Sequence, residues 1–172
     1  ITSEKFKEIF QYFSELDDYD IISSNENESL DIRIISNKKY DKYRLTLNTK
    51  NEIMKYCKKN TYDSNSIFYG EKRRLNKFPA LNLESYPFKF NLKYDTVLDD
   101  DEKKEEIDRI IKTSKKYFRF KKRFTFLSKS ELFKIDLSLV KSSNNYSKYF
   151  YDSGVLNQKE SYEIEIELNN EN

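Results

Sequence analysis

Apolar positions recur along this chain with two different periods. Over residues 3–16 the spacing is helical, and Phe6, Ile9, Phe10 and Phe13 fall on one face. Residues 17–29, DDYDIISSNENES, are polar and predict a loop. From Leu30 the period changes to two. LDIRI (30–34) and YRLTLN (43–48), joined by ISNKKYDK, predict a hairpin. Thr49 and Glu52 then make a capping-box pattern ahead of Ile53, Met54 and Cys57, which predicts a short helix. Strands are predicted over 66–74 and, more strongly, over YPFKFNLKYD (86–95). The acidic stretch 99–114 becomes helical around Ile107, Ile110 and Ile111. YFRFKKRFTFLS (117–128), LFKIDLSLVKSS (132–143) and SYEIEIEL (161–168) alternate again, with a loop between the last two. The sum is a mostly β (α+β) chain, antiparallel, with a few helices.

The strands share one habit. In 117–128, Phe118, Phe120, Phe124 and Phe126 point one way, and Arg119, Lys121, Arg123 and Thr125 the other. In 132–143, Ile135, Leu137 and Leu139 oppose Lys134, Asp136 and Ser138. In the last strand, Glu163, Glu165 and Glu167 share a face opposite Ile164, Ile166 and Leu168. One face of an antiparallel sheet commonly meets water, and charges there need no function. Two details weigh against so simple a reading. Residues 119–123 put three cations on one face and residues 163–167 put three anions on one face, whereas a solvated surface mixes signs. Short polar residues, Thr46, Asn91, Thr125 and Ser138, accompany the charges as they would in a lined cavity. A sheet closing into a barrel would place these faces inside and leave the helices to cover the apolar faces outside.

Composition narrows the chemistry. The 172 residues suit one domain, and 13 Phe and 14 Tyr supply a core despite the high charge content. Net charge is only +2, so the segregation of charge matters more than its sum. There is no histidine, which excludes Ser-His and Cys-His catalysis and His-ligated metals. Any metal would be held by oxygens, which favours Mg²⁺, Mn²⁺ or Ca²⁺ over zinc. The lone Cys57 cannot form an internal disulfide, in keeping with a reducing compartment. No apolar run approaches the length of about 18 residues that a membrane-spanning helix needs. An acidic wall holding a divalent ion, faced by a wall of Arg and Lys, suits metal-assisted attack of water on a terminal phosphoryl group.

YRLTLN, FKFNLKYDT, RFKKRFTF, KIDLSLVKSS and the closing YEIEIEL, in that order over about residues 30–168, resemble the RNA triphosphatase domain of mRNA capping enzymes from large DNA viruses, a branch of the triphosphate tunnel metalloenzymes. The resemblance implies an antiparallel β-barrel, or tunnel, with peripheral helices, holding Mg²⁺ or Mn²⁺ and the 5′-triphosphate of RNA. It implies Glu163 and Glu165 as metal ligands with Glu167 behind them. It implies Arg119, Lys121 and Arg123 on the triphosphate, with Lys93, Lys134 and Arg44 as further phosphate contacts. Asp136 would serve as a catalytic residue that positions a base or the attacking water, beside Arg123. The expected setting is the cytoplasm, a viral factory or the virion, with a guanylyltransferase domain or subunit as partner; this chain has no K-x-D-G nucleophile motif of its own.

The family carries a second E-x-E pair on its first strand; the one candidate here, SLDIRI, would put Ser29 and Asp31 in place of the two glutamates, and LDIRI resembles the following strand better. The expectation is that residues 1–172 are one tunnel domain lacking that acidic strand. Two other functions fit the residues: hydrolysis of nucleoside triphosphates or inorganic polyphosphate by the same fold, and non-catalytic binding of nucleic acid with the aromatics of 118–126 stacking bases.

Overall fold

A computed structural model describes residues 1–22, 28–34, 43–63, 67–74, 81–82, 89–90 and 93–168. The elements run α1 (Ser3–Glu15), β1 (Tyr19–Ile22), β2 (Glu28–Ile34), β3 (Arg44–Leu47), α2 (Lys50–Lys59), β4 (Ile67–Arg74), β5 (Leu81–Asn82), β6 (Lys89–Phe90), β7 (Lys93–Val97), α3 (Asp101–Thr113), β8 (Lys116–Ser128), β9 (Phe133–Ser142) and β10 (Ser161–Leu168). Two single 3₁₀ turns, Tyr151–Ser153 and Val155–Asn157, shape the connection into β10.

The mostly antiparallel architecture with peripheral helices is the one the periodicity predicts. One sheet runs β10-β9-β8-β2-β3-β4-β7. Its spine is β8, whose 13 residues outlast any single neighbour. The first half of one edge pairs with β2, Ile34 opposite Lys116 through Glu28 opposite Lys122. The second half of that edge takes β1, Ile22 opposite Thr125. The other edge is filled by β9. Among the described residues the sheet is open, with β10 and β7 as its ends.

Three local expectations need revision. The polar segment 17–29 contains strand β1, whose ladder to β8 overrides its weak pattern. Of the predicted strand 86–95, residues 86–88 and 91–92 lie outside the described residues, while β6 and β7 account for the rest. Helix α3 begins earlier than Ile107. Asp100 caps it by accepting from the Lys103 backbone N–H, and Asp101 and Glu102 suit the positive end of its dipole. The capping box of α2 forms as predicted, with the Thr49 hydroxyl accepting from Glu52 N–H and the Glu52 carboxylate accepting from Thr49 N–H.

All three helices cover the same face of the sheet. Under α2 and α3 lie Leu30, Ile32, Ile34, Leu45, Leu47 and Phe118, packed against Ile53, Tyr56, Ile107 and Ile111. Under α1 lie Phe126, Ile135 and Leu137, packed against Phe6. Phe10 meets Phe124 and Phe126 edge-on at centroid distances of 5.2 and 5.6 Å. This burial consumes the aromatic face of β8, where Phe118 and Phe126 are fully buried. The version of nucleic-acid binding in which residues 118–126 stack bases is therefore wrong: Phe118 and Phe126 are core, and Phe120 and Phe124 pack against it. Among the described residues, no helix is long and apolar enough to cross a membrane.

Candidate functional site

With the helices on one face, the opposite face collects the charges. Directly paired residues of an antiparallel ladder share a face. Reading across the sheet, Glu163 lies opposite Ser138 and Ser138 opposite Arg123. Glu165 lies opposite Asp136, and Asp136 opposite Thr125. Glu167 faces Lys134. On the other side of β8, Lys121 pairs with Ser29, Arg119 with Asp31 and Tyr117 with Arg33. Asp31 and Arg33 pair in turn with Thr46 and Arg44. Alternation alone thus places residues of five strands on one polar surface.

Much of that surface is buried, which separates it from a simple solvated face. Asp31 is 2% exposed and Lys121 6%. The Lys121 Nζ lies 2.8 Å from Asp31 Oδ2, the Thr46 hydroxyl donates to Oδ1 at 2.9 Å, and the Arg44 guanidinium stands 3.8 Å away. Burial alone would raise the Asp31 carboxyl, but Lys121 and Arg44 outweigh it and hold the group below its ordinary value. Asp136 is a second buried acid. It accepts from the Thr125 hydroxyl at 2.6 Å and pairs with Arg123 at 3.3 Å. Arg119 reaches across β9 to Glu163, its Nη2 lying 2.6 and 2.8 Å from the two carboxylate oxygens.

At the β9–β10 end, one carboxylate oxygen from each of Asp136, Glu165 and Glu167 lies within 4.8 Å of the others. The donor chemistry fits a hard divalent cation: three carboxylates on two adjacent strands, with no thiol or imidazole among them. Beside this group, the buried Arg123 Nε and Ser138 hydroxyl have no hydrogen-bond partner among the described residues. Two orphaned donors next to clustered acids are what an anion bridged to a cation would satisfy.

The structure thus sorts the residues that sequence singled out. Glu165 and Glu167 stand together with Asp136, while Glu163 is engaged by Arg119. Arg119, Lys121 and Arg123 follow one another along the polar face of β8, and Arg44 joins them through Asp31. Lys134 sits at the acidic end opposite Glu167. Lys93 opens β7, and its side chain lies outside the described residues. Sequence reading gave no role to Asp31 as the buried counter-ion of Lys121, nor to Arg33. The available signal was parity, since both alternate with Leu30, Ile32 and Ile34.

The sheet with its helices on one face is a fold that this chain shares with a solved viral capping-enzyme triphosphatase. It resembles the solved structure of the Mimivirus capping enzyme triphosphatase, at a TM-score of 0.68 and 17% identity, over 98% of this chain and 76% of that one. No protein-family model matches the chain, and no curated protein does.

Proposed function

We propose that this chain is the tunnel domain of a metal-dependent polynucleotide 5′-triphosphatase, which removes the γ-phosphate from triphosphate-ended RNA as the first step of capping. One observation carries the reading: the orphaned Arg123 and Ser138 donors lie between a row of cations and a three-carboxylate cluster, on a fold shared with a capping-enzyme triphosphatase.

In this reading Asp136, Glu165 and Glu167 hold Mg²⁺ or Mn²⁺. The bound ion would offset the charge of the phosphoryl oxygens and of the carboxylates around it. Arg123 and Lys121 bind oxygens of the terminal phosphates, and Lys134, Lys93 and Arg44 widen the cationic lining. Arg119 exchanges one partner for another: its guanidinium leaves the Glu163 carboxylate for a phosphate, in a comparable two-oxygen geometry. Glu163, released, becomes a base within reach of the attacking water. Thr125 and Arg123 fix the Asp136 carboxylate, so it orients rather than drifts. The partner that consumes a diphosphate end would be a guanylyltransferase domain or subunit.

The test is phosphate release from triphosphate-ended RNA with Mn²⁺ or Mg²⁺, using the natural full-length protein. Arg123→Ala and Glu165→Ala should each lower kcat by about 100-fold or more, the scale seen when one transition-state donor is removed. Full activity in both variants refutes the assignment. Competition between RNA ends and free ATP at equal concentration separates this reaction from nucleotide or polyphosphate hydrolysis.

A further inference from the structure

The polar face does not end at the phosphate-binding row. Beyond Arg119, at the start of β8, Arg33, Tyr117 and Tyr146 gather. Tyr117 lies opposite Arg33 in the ladder, on the same face as Arg119. Its ring meets Tyr146 at 6.3 Å in an edge-on arrangement. Tyr146 comes from the connection after β9, fixed by the backbone bridge between Lys116 and Ser147. It is 55% exposed, so one side of its ring is open to solvent.

The charge at this end is unbalanced. Arg33, Arg44 and Arg119 crowd together. Arg44 has Asp31 and Arg119 has Glu163, but among the described residues no carboxylate pairs with Arg33. Burial, and after it the neighbouring Arg44 and Arg119, lower the Arg33 guanidinium from its ordinary value, and Asp31, already engaged by Lys121, offsets them only in part. A half-buried cation held among cations costs free energy unless an anion completes the group. This end is distant from the Asp136, Glu165 and Glu167 cluster: Tyr117 and Thr125 are eight residues apart on one strand, about 26 Å at strand rise.

We propose that Arg33, Tyr117 and Tyr146 form a second subsite, for single-stranded RNA downstream of its 5′ end, with Arg33 on an internucleotide phosphate and a base stacked on Tyr146. It rests on the triphosphatase reading for its place in the reaction, and it explains how the face would prefer a polynucleotide to a free nucleotide. An aromatic face supplies sequence-tolerant stacking, and the arginine supplies a backbone contact, the two elements of single-strand recognition.

The test is the binding of a fluorescent RNA oligomer ending in a 5′-hydroxyl, measured by anisotropy. Such an RNA carries no triphosphate, so its binding reports this subsite even if the chain hydrolyses nothing. The wild-type protein should bind it. Tyr146→Ala should weaken binding roughly tenfold, within the range for loss of one stacked base. Arg33→Gln should weaken it as well and lower the salt slope by about 0.7, one phosphate contact on a single strand. Tyr146 is exposed, so its variant folds even if the Arg33 variant does not. Unchanged affinity in Tyr146→Ala overturns the proposal, as does failure of the wild type to bind. Complete displacement of the RNA by inorganic phosphate at millimolar concentration, with no dependence on Tyr146, also overturns it and leaves a simple anion site.

Discussion

Asp31 is the residue whose removal should cost the fold most for the fewest atoms. It is 2% exposed and faces Lys121, itself 6% exposed, with Arg44 and the Thr46 hydroxyl completing its shell. Asp31→Ala leaves a buried ammonium without its partner. Breaking a buried pair from one side costs about 3–5 kcal/mol, because the remaining charge stays desolvated. For a chain of this size each kcal/mol moves Tm by about 2–4 °C, so a fall on the order of 10 °C is expected. Asp31→Asn should cost less, since the amide keeps an acceptor for Thr46. Asp31→Leu combined with Lys121→Met should recover much of the loss, because no unpaired charge remains at the pair. Urea titration at pH 7 with a common m-value measures all three. The acid limb is a further check. The folded carboxyl titrates below its ordinary 3.8, so its contribution is complete above that value and is lost as pH falls below it. The gap in stability between wild type and Asp31→Ala should therefore hold down to pH 3.8 and narrow only as pH falls further. A loss under about 1 kcal/mol for Asp31→Ala, or a double variant as unstable as the sum of the singles, refutes the reasoning.

Other outcomes follow from the same geometry. Lys116 is fully buried, donates to the Ile111 carbonyl and Asn60 Oδ1, and is pushed down to about 8 by burial and by Lys148. Its free value is 10.5, so between these pH values the unfolded chain holds more protons and stability rises with pH, by about 1–3 kcal/mol. Lys116→Met should flatten that rise in chemical denaturation across pH 7–10.5. Thr49→Ala removes the α2 capping box and should cost about 1 kcal/mol, read in the same titration. Mn²⁺ should raise Tm in a concentration-dependent way, and the combined Asp136→Asn and Glu165→Gln variant should abolish the rise; an undiminished rise places the ion elsewhere.

The alternation that makes the sheet was plain in the sequence. RFKKRFTF and EIEIEL commit every second residue to one face, and nothing in the tertiary structure disturbs that parity. The helices announced themselves by Phe6, Ile9, Phe10 and Phe13 and by the Thr49–Glu52 box. Hidden from sequence was everything set by register between strands. Three glutamates in one strand look equivalent, yet only Glu165 and Glu167 fall beside Asp136, because β9 fixes which rungs align. Glu163 falls instead to an arginine from β8, two strands away. β1 was missed for a related reason. Its residues are mostly exposed, and its position comes from the free half-edge that β2 leaves on β8.

The two apolar clusters have a dynamic consequence. Phe118 and Phe126 belong to the same strand, but one is sealed by α2 and α3 and the other by α1. Loosening α1 therefore unroofs only the distal half of β8, and the arginine-rich half stays clamped beneath its own lid. Amide hydrogens of α1 should exchange through partial openings that leave those of β2 and β3 protected, so the molecule melts from one end first.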